Sequence, residues 1–160
     1  MTTAATTNPQ EAKMTDNPQE VRQVLSRLAN RATPDPTPAP ELNGYLLKHP
    51  EKPEIYLVLN GLRRHLPDVA TVNGLFVTNR TVHEDFHIDF ITKGDPVETG
   101  AMLVKGDGAD PWYLLVGGKK KMWIRDETTF AQYQFRAVTK VAQILVNSIP
   151  DGDNVQGRAK

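Results

Sequence analysis

The chain of 160 residues contains no cysteine. Without thiols it can form no disulfide bond, no thiolate metal site and no cysteine nucleophile. Lys plus Arg number 19 and so do Asp plus Glu, so no net charge draws the whole molecule toward nucleic acid or an anionic membrane. Contact with a polyanion would therefore need a local basic patch, and we expect no sequence-specific nucleic acid binding.

Long hydrophobic runs are missing as well. No apolar stretch approaches the roughly 18 residues of a membrane-spanning helix, and the first residues lack the basic flank and apolar core of a secretory signal. We therefore expect a soluble chain without an export signal, and the sequence indicates no particular compartment. A length of 160 residues fits one compact domain with appendages.

Residues 1–41 are predicted to be appendages. Residues 1–16 contain few large apolar side chains, which predicts a flexible arm. Asn-Pro-Gln-Glu at residues 17–20 predicts a helix over residues 18–30, because Asn caps well, Pro suits the first position and Glu can bond back to the cap. The alternating prolines of residues 32–40 predict a semi-rigid, extended linker.

The predicted helix carries one apolar stripe. A helix this short is marginal in water on its own, so the stripe must dock on something. Two interpretations remain open: the helix docks on its own domain, or it reaches a neighbouring subunit. The stripe consists of Val21, Val24, Leu25 and Leu28.

An internal repeat occupies the rest of the chain. Residues 46–48 (Leu-Leu-Lys) match residues 103–105 (Leu-Val-Lys) at an offset of 57. Residues 56–58 (Tyr-Leu-Val) match residues 113–115 (Tyr-Leu-Leu) at the same offset. One inserted residue then shifts the offset to 58 through to the end of the repeat. Self-similarity at a fixed period predicts two copies of one structural unit.

The repeat divides the chain into residues 42–98 and residues 99–156, with a tail at residues 157–160. Each unit reads as two apolar strands, a tight turn, a basic return strand and a short helix that Asp can cap. The turns fall at residues 60–61 (Asn-Gly) and 117–118 (Gly-Gly). Both pairs tolerate the positive φ angles of a type I′ turn, so each unit is predicted to contain a β-hairpin.

The predicted fold is mainly β with short helices. One unit of fewer than 60 residues has little core of its own. We therefore expect the two hairpin repeats to pack together, preceded by the flexible arm, the amphipathic helix and the Pro-rich linker.

The pattern Gly-x-x-Leu-Leu/Val-Lys, then Tyr-Leu-Leu/Val, a turn, a basic cluster and Leu/Ile-Pro-Asp resembles a short tandem repeat of bacterial and bacteriophage proteins. Residues 44–68 and 100–126 carry it here. The second copy departs at Arg125, where the pattern has proline, and has one extra residue in its basic strand. The resemblance implies an accessory or surface-recognition module, on a bacterial surface or a virion, with no catalytic activity assigned.

Two groups of residues are candidates for binding. A basic cluster follows each turn and could contact phosphate, sulfated or acidic groups, although basic residues on an exposed strand also guard against edge-to-edge aggregation. Two tryptophans of the second unit have no aromatic counterparts in the first and could stack on a sugar ring or anchor a protein interface. The candidate binding residues are Arg63, Arg64, His65, Trp112, Lys119, Lys120, Lys121 and Trp123.

Residues 83–87 spell His-Glu-x-x-His, which on a helix would place two imidazoles for zinc and Glu as a general base. Three features favour an exposed polar edge instead: Asp85 puts a charge inside the motif, no third ligand follows, and the aligned residues 141–145 contain no ligand. We therefore expect no metal at His83 and His87, and no cofactor.

The leading hypothesis is a non-catalytic binding module for a cell-surface glycan or an anionic polymer. The first alternative is a structural or assembly subunit of a phage particle or surface assembly, which contacts a protein partner or another copy through residues 1–30. The second alternative is a small zinc hydrolase that uses His83 and His87.

Overall fold

The computed structural model describes residues 16–31, 35–108, 111–116, 120–136 and 138–159. Within these ranges the chain forms eight strands in two four-stranded sheets, with four α-helices and two short 3₁₀ turns. The predicted class, mainly β with short helices and two packed repeats, is confirmed.

Parts of the sequence predictions lie outside the described residues. The predicted flexible arm does so except for its last residue, Asp16. The Gly-Gly turn at residues 117–118 and Lys119 lie outside as well, and so do residues 32–34 of the linker.

Helix α1 spans Pro18–Ala29. The side-chain oxygen of Asn17 accepts hydrogen bonds from the backbone N–H groups of Gln19 and Glu20, at 3.1 and 3.3 Å, as expected of an N-cap. Glu20 does not bond back to the cap. The Tyr45 hydroxyl takes that place, since it accepts from the cap N–H at 3.1 Å and donates to the Glu20 carboxylate at 2.9 Å.

The first sheet has the strand order β3-β2-β1-β4. Its first three strands are antiparallel neighbours, and β4 adds parallel to β1. At the hairpin turn Asn60 and Gly61 have φ angles of 52° and 83°, so the predicted turn with two positive φ angles is present. The elements of this unit are β1 Leu46–Lys48, β2 Ile55–Leu59, β3 Leu62–Leu66, helix α2 Val69–Leu75 and β4 Val82–Glu84.

The second sheet repeats the first, with the strand order β7-β6-β5-β8. Again three strands are antiparallel neighbours and the last, β8, adds parallel to the first. A 3₁₀ turn at Ile88–Phe90 follows β4, and helix α4 follows β8. The elements of this unit are β5 Met102–Gly106, β6 Trp112–Leu115, β7 Met122–Ile124, helix α3 Glu127–Gln132, β8 Thr139–Val141 and α4 Gln143–Asn147.

The parallel strands β4 and β8 also fix which residues of the two units are equivalent. Leu47 pairs with His83, and its counterpart Val104 pairs with Thr139. The expected alignment of residues 83–87 with residues 141–145 is therefore wrong by two residues at its start. The cause is that Thr139 follows the capping Asp126 by 13 residues, whereas His83 follows the capping Asp68 by 15.

The main core lies between the two sheets and draws on both units. Phe76 and Phe135 stack at its centre, with ring centroids 5.8 Å apart, and their backbones form an antiparallel bridge. Apolar residues at equivalent positions complete it, so neither unit has this core without the other. The equivalent pairs are Leu46 and Leu103, Leu57 and Leu114, Leu66 and Ile124, and Val97 and Val155.

A second core lies between α1 and the outer face of the first sheet. The predicted stripe of α1 is buried there, which settles its docking on its own domain. The sheet contributes Tyr45, Leu47 and Val58. The described half of the proline segment belongs to the same packing: the Ala39 N–H donates to the Gly61 carbonyl at 2.7 Å, and Thr37 bridges to Ile91. Residues 35–40 are therefore held against the first unit and do not form an open spacer.

None of the helices in the described part of the chain combines the length and the apolar character needed to cross a lipid bilayer.

Candidate binding clefts

Each unit has an open cleft where the second and third strands of its sheet meet the capped helix. The cleft of the first unit has a volume of about 280 Å³ and that of the second about 260 Å³. The same positions of the repeat line both, so the scaffold forms this cleft twice. The equivalent pairs are Glu54 and Pro111, Ile55 and Trp112, His65 and Trp123, Pro67 and Arg125, Asp68 and Asp126, and Val69 and Glu127.

A capping aspartate lies in both clefts. The Asp126 carboxylate accepts a hydrogen bond from the backbone N–H of Thr129 at 2.8 Å, and Asp68 accepts from Thr71 at 2.7 Å. These backbone hydrogen bonds lower the pKa of both carboxyl groups below their ordinary value. Each cleft therefore has a fixed negative charge and hydrogen-bond acceptor at neutral pH.

The two tryptophans border the second cleft from different faces of the sheet. The register pairs Trp112 with Ile124 and Trp123 with Tyr113, so the pleat places the two indoles on opposite faces. Trp112 is half-buried and packs on Phe130, with ring centroids 4.7 Å apart. Trp123 is 41% exposed. The structure therefore brings both to one cleft, but Trp123 is the ring that is free to stack.

The side chain of Arg125 extends this surface. Its guanidinium lies over the Trp123 ring, 5.9 Å from the centroid. Glu127, at the first position of helix α3, is exposed beside it. Both clefts have two carboxylates, Glu54 and Asp68 in the first and Asp126 and Glu127 in the second. The second adds an exposed indole and a guanidinium, where the first has the His65 imidazole and Pro67.

Arg63 begins the first basic cluster and Lys121 ends the second, and the two residues occupy equivalent positions of the repeat. The Arg63 guanidinium donates to the Ile91 carbonyl at 2.9 Å, and the Lys121 ammonium donates to the Ile149 carbonyl at 2.5 Å. Each also lies near a carboxylate, Asp89 at 3.6 Å and Asp151 at 3.0 Å. Both cations are largely buried in holding the returning chain to the third strand.

The other members of the basic clusters are placed differently. The Arg64 side chain donates to the carbonyls of Leu59 and Asp95, at 3.5 and 3.3 Å. His65 lines the first cleft and packs edge-on against Tyr56, with centroids 5.8 Å apart. Lys120 is exposed. The two clusters therefore do not form continuous basic edges in the described residues, and the binding role of their members stays a prediction.

The His-Glu-x-x-His segment does not lie on a helix. His83 is in strand β4, and His87 is in the turn that precedes Ile88–Phe90. His83 is buried and hydrogen-bonded to Asp16, so the expectation of an exposed polar residue is wrong at this position. His87 contacts Asp85, with Nδ1 and Oδ1 3.0 Å apart. In the described ranges, no three His, Asp or Glu side chains are grouped to hold a metal ion.

No protein-family model, curated protein or solved structure matches this chain. The resemblance to bacterial and bacteriophage repeats therefore rests on the sequence pattern alone.

Sequence reasoning missed four exposed residues of the second cleft. Asp126 was recognised as a helix cap, but its position beside Trp123 depends on how α3 follows β7. Writing the two units in register, position by position, could have pointed to all four, because each has a cleft-lining counterpart in the first unit. The missed residues are Pro111, Arg125, Asp126 and Glu127.

Proposed function

We propose that the chain is a non-catalytic recognition module that binds a glycan through the cleft of the second unit. One observation supports this most: the two clefts share their scaffold, but at matched positions Trp123 replaces His65 and Glu127 replaces Val69. The repeated unit thus forms the cleft in both copies, and only the second copy places tryptophans and an arginine in it.

The chemistry of the second cleft suits a sugar residue. The exposed Trp123 ring offers a flat apolar surface for the C–H face of a pyranose. The carboxylates of Asp126 and Glu127 accept hydrogen bonds from sugar hydroxyls, and Arg125 donates them. A volume of about 260 Å³ is below the range of about 300–1,000 Å³ common for drug-sized ligands, so an open cleft of this size fits one residue of a polymer.

A neutral glycan is favoured over an anionic polymer because one cation of each basic cluster is already engaged. Arg63 and Lys121 each bond to a backbone carbonyl and lie near a carboxylate. Asp126 and Glu127 add negative charge to the second cleft, which repels a polyanion. Tight binding of sulfated or phosphorylated chains would therefore contradict this choice of ligand.

The alternative hypotheses have less support. Assembly through residues 1–30 rests on the N-terminal arm and the helix. The apolar stripe of the helix is buried against the first sheet, and residues 1–15 of the arm lie outside the described residues. The zinc hydrolase required His83 and His87 on one helical face, and they lie on a strand and a turn.

A glycan array probed with the full chain tests the proposal. We expect binding to one class of neutral glycan, and at least a tenfold loss in the variant Trp123→His, which restores the residue of the first unit. His65→Ala, the matched change in the first cleft, should bind as the natural chain does. Equal binding by Trp123→His and the natural chain would overturn the proposed site, and binding confined to sulfated glycans would overturn the ligand.

A further inference from the structure

The outer faces of the two sheets differ in what covers them. On the first sheet, α1 buries the apolar residues Tyr45, Leu47 and Val58. On the second sheet the short helix α4 packs against β5, where Val104 is buried. Within the described ranges no helix of the length of α1 lies there.

Apolar residues on this face are less covered than their counterparts in the first unit, although the Lys121 ammonium lies over the Tyr113 ring. Met102, the counterpart of the fully buried Tyr45, is 38% exposed. Leu115, the counterpart of the buried Val58, is half-buried, and so is Tyr113 beside it. On α4, Ile144 and Leu145 are 76% and 57% exposed. The second unit has thus kept the apolar surface on which the first unit docks a helix.

We propose that the outer face of the second sheet binds an amphipathic helix of a partner protein, in the place that α1 occupies on the first sheet. The first unit shows the form of the occupant: three turns of helix with one stripe of aliphatic side chains at i, i+3, i+4 and i+7. Such a helix would cover Met102 and Leu115 between β5, β6 and α4.

The chain itself does not supply this helix. Residues 1–15 contain no Leu, Ile, Val or aromatic residue, so they cannot form an aliphatic stripe. Helix α1 of a second copy does not fit this face either. On the first sheet the Tyr45 hydroxyl donates a hydrogen bond to Glu20 of α1, and Met102, the counterpart of Tyr45 on the second sheet, has no donor for it. A carboxylate buried against a thioether would lose its hydrogen bonds to water without replacement. The occupant therefore has an apolar residue where α1 has Glu20.

A labelled peptide tests this surface directly. The probe is a fluorescein-labelled peptide with the sequence of residues 17–30 and the substitution Glu20→Leu, titrated with the full chain by fluorescence anisotropy. We expect saturable binding, and at least a tenfold weaker Kd for the chain variant Met102→Lys. The matched control is Val77→Lys, because Val77 is 42% exposed but lies outside this face. It should bind the peptide like the natural chain.

Three results would overturn the proposal. The first is the lack of saturation up to about 1 mM, since a Kd beyond this corresponds to less than about 4 kcal/mol of binding free energy. The second is equal binding of the peptide by Met102→Lys and Val77→Lys, because the peptide would then be displacing α1 from the first sheet instead of binding to the second. The third is a dimer of the natural chain in sedimentation equilibrium that Met102→Lys abolishes, because the face would then pair copies of this chain. Glycan binding should be unchanged in Met102→Lys. Failure of the helix-binding proposal can therefore be distinguished from failure of the glycan-binding proposal.

Discussion

The guanidinium of Arg63 lies over the ring of Tyr56, 4.9 Å from its centroid. At the equivalent position of the second unit, the Lys121 ammonium lies over the ring of Tyr113, 5.3 Å from its centroid. The same cation also bonds to a backbone carbonyl in each unit, so this position of the repeat joins the returning chain to the sheet. The pair shows that residues predicted to contact ligand have a structural role in the duplicated unit.

We expect Arg63→Ala to destabilise the fold by about 2 kcal/mol, because it removes a charge-assisted hydrogen bond and a cation–π contact. Arg63→Lys should recover part of this, since lysine fills the position in the second unit. Urea unfolding checks both, and the exposed Lys120→Ala should change stability by no more than about 0.5 kcal/mol. If Arg63→Ala is as stable as the natural chain but has lost glycan binding, Arg63 contacts the ligand and does not stabilise the fold, which would contradict this prediction.

The capping aspartates should make stability depend on pH. Folding lowers the pKa of Asp68 and Asp126, so their contribution is complete above the unfolded-state pKa of about 4 and is lost as the pH falls through the folded-state pKa. In the double variant Asp68→Asn and Asp126→Asn the caps remain but do not titrate.

We expect this double variant to fold as the natural chain does at pH 7 and to lose less stability between about pH 5 and pH 2. Thermal unfolding followed by circular dichroism across that range measures the difference. Parallel curves for the two proteins would show that these caps do not contribute to acid unfolding.

Gly44 lies at a close approach between the two units. Its φ angle is +93°, and a Cβ atom there would lie 2.7 Å from the Gln132 carbonyl oxygen of the other unit. Gly44→Ala should therefore cost about 2–4 kcal/mol, since backbone strain adds to the displacement of the backbone. Gly100→Ala is the matched control, because Gly100 has a φ of +87° in open space, and it should cost about 1 kcal/mol. Equal Tm values for the two variants would contradict the close approach.

Arg80 connects the units at the same place. Its guanidinium donates to the carbonyls of Gly44 in the first unit and Tyr133 in the second, and burial lowers its pKa to about 10. Arg80→Met keeps most of the side-chain volume but leaves both carbonyls without this donor, so we expect a loss of about 2–3 kcal/mol. Arg125→Met, an exposed control, should unfold like the natural chain. If Arg80→Met unfolds at the same urea concentration as the natural chain, the hydrogen bonds of Arg80 between the units do not contribute to stability.

The hairpins and helix caps could be predicted because their signals are local. The pair Asn60-Gly61 sets its own turn geometry, and Asn17 and Asp126 cap the residues that directly follow them. Strand β8 and the parallel pairing of β4 and β8 could not be predicted, because three residues carry little periodicity and the pairing joins distant parts of the chain.

The site was predictable in part. Trp112, Trp123 and His65 do border the clefts, because the repeat comparison places them at the ends of the hairpin strands. The engagement of Arg63 was not predictable, since its partner Ile91 lies 28 residues away and returns to the strand only in the folded chain. The burial of His83 was not predictable either, since its partner Asp16 is also distant in the sequence and meets it only in the folded chain.

The indole signals of the two tryptophans test the central claim most directly. The chain contains only Trp112 and Trp123, and both border the second cleft, so the two indole N–H peaks in a ¹H–¹⁵N spectrum report on that cleft alone. On titration with a glycan selected from the array, we expect both peaks to shift in a saturable manner while the backbone signal of His65 stays fixed. Saturable binding with neither indole shifted, or with His65 shifted instead, would contradict the account.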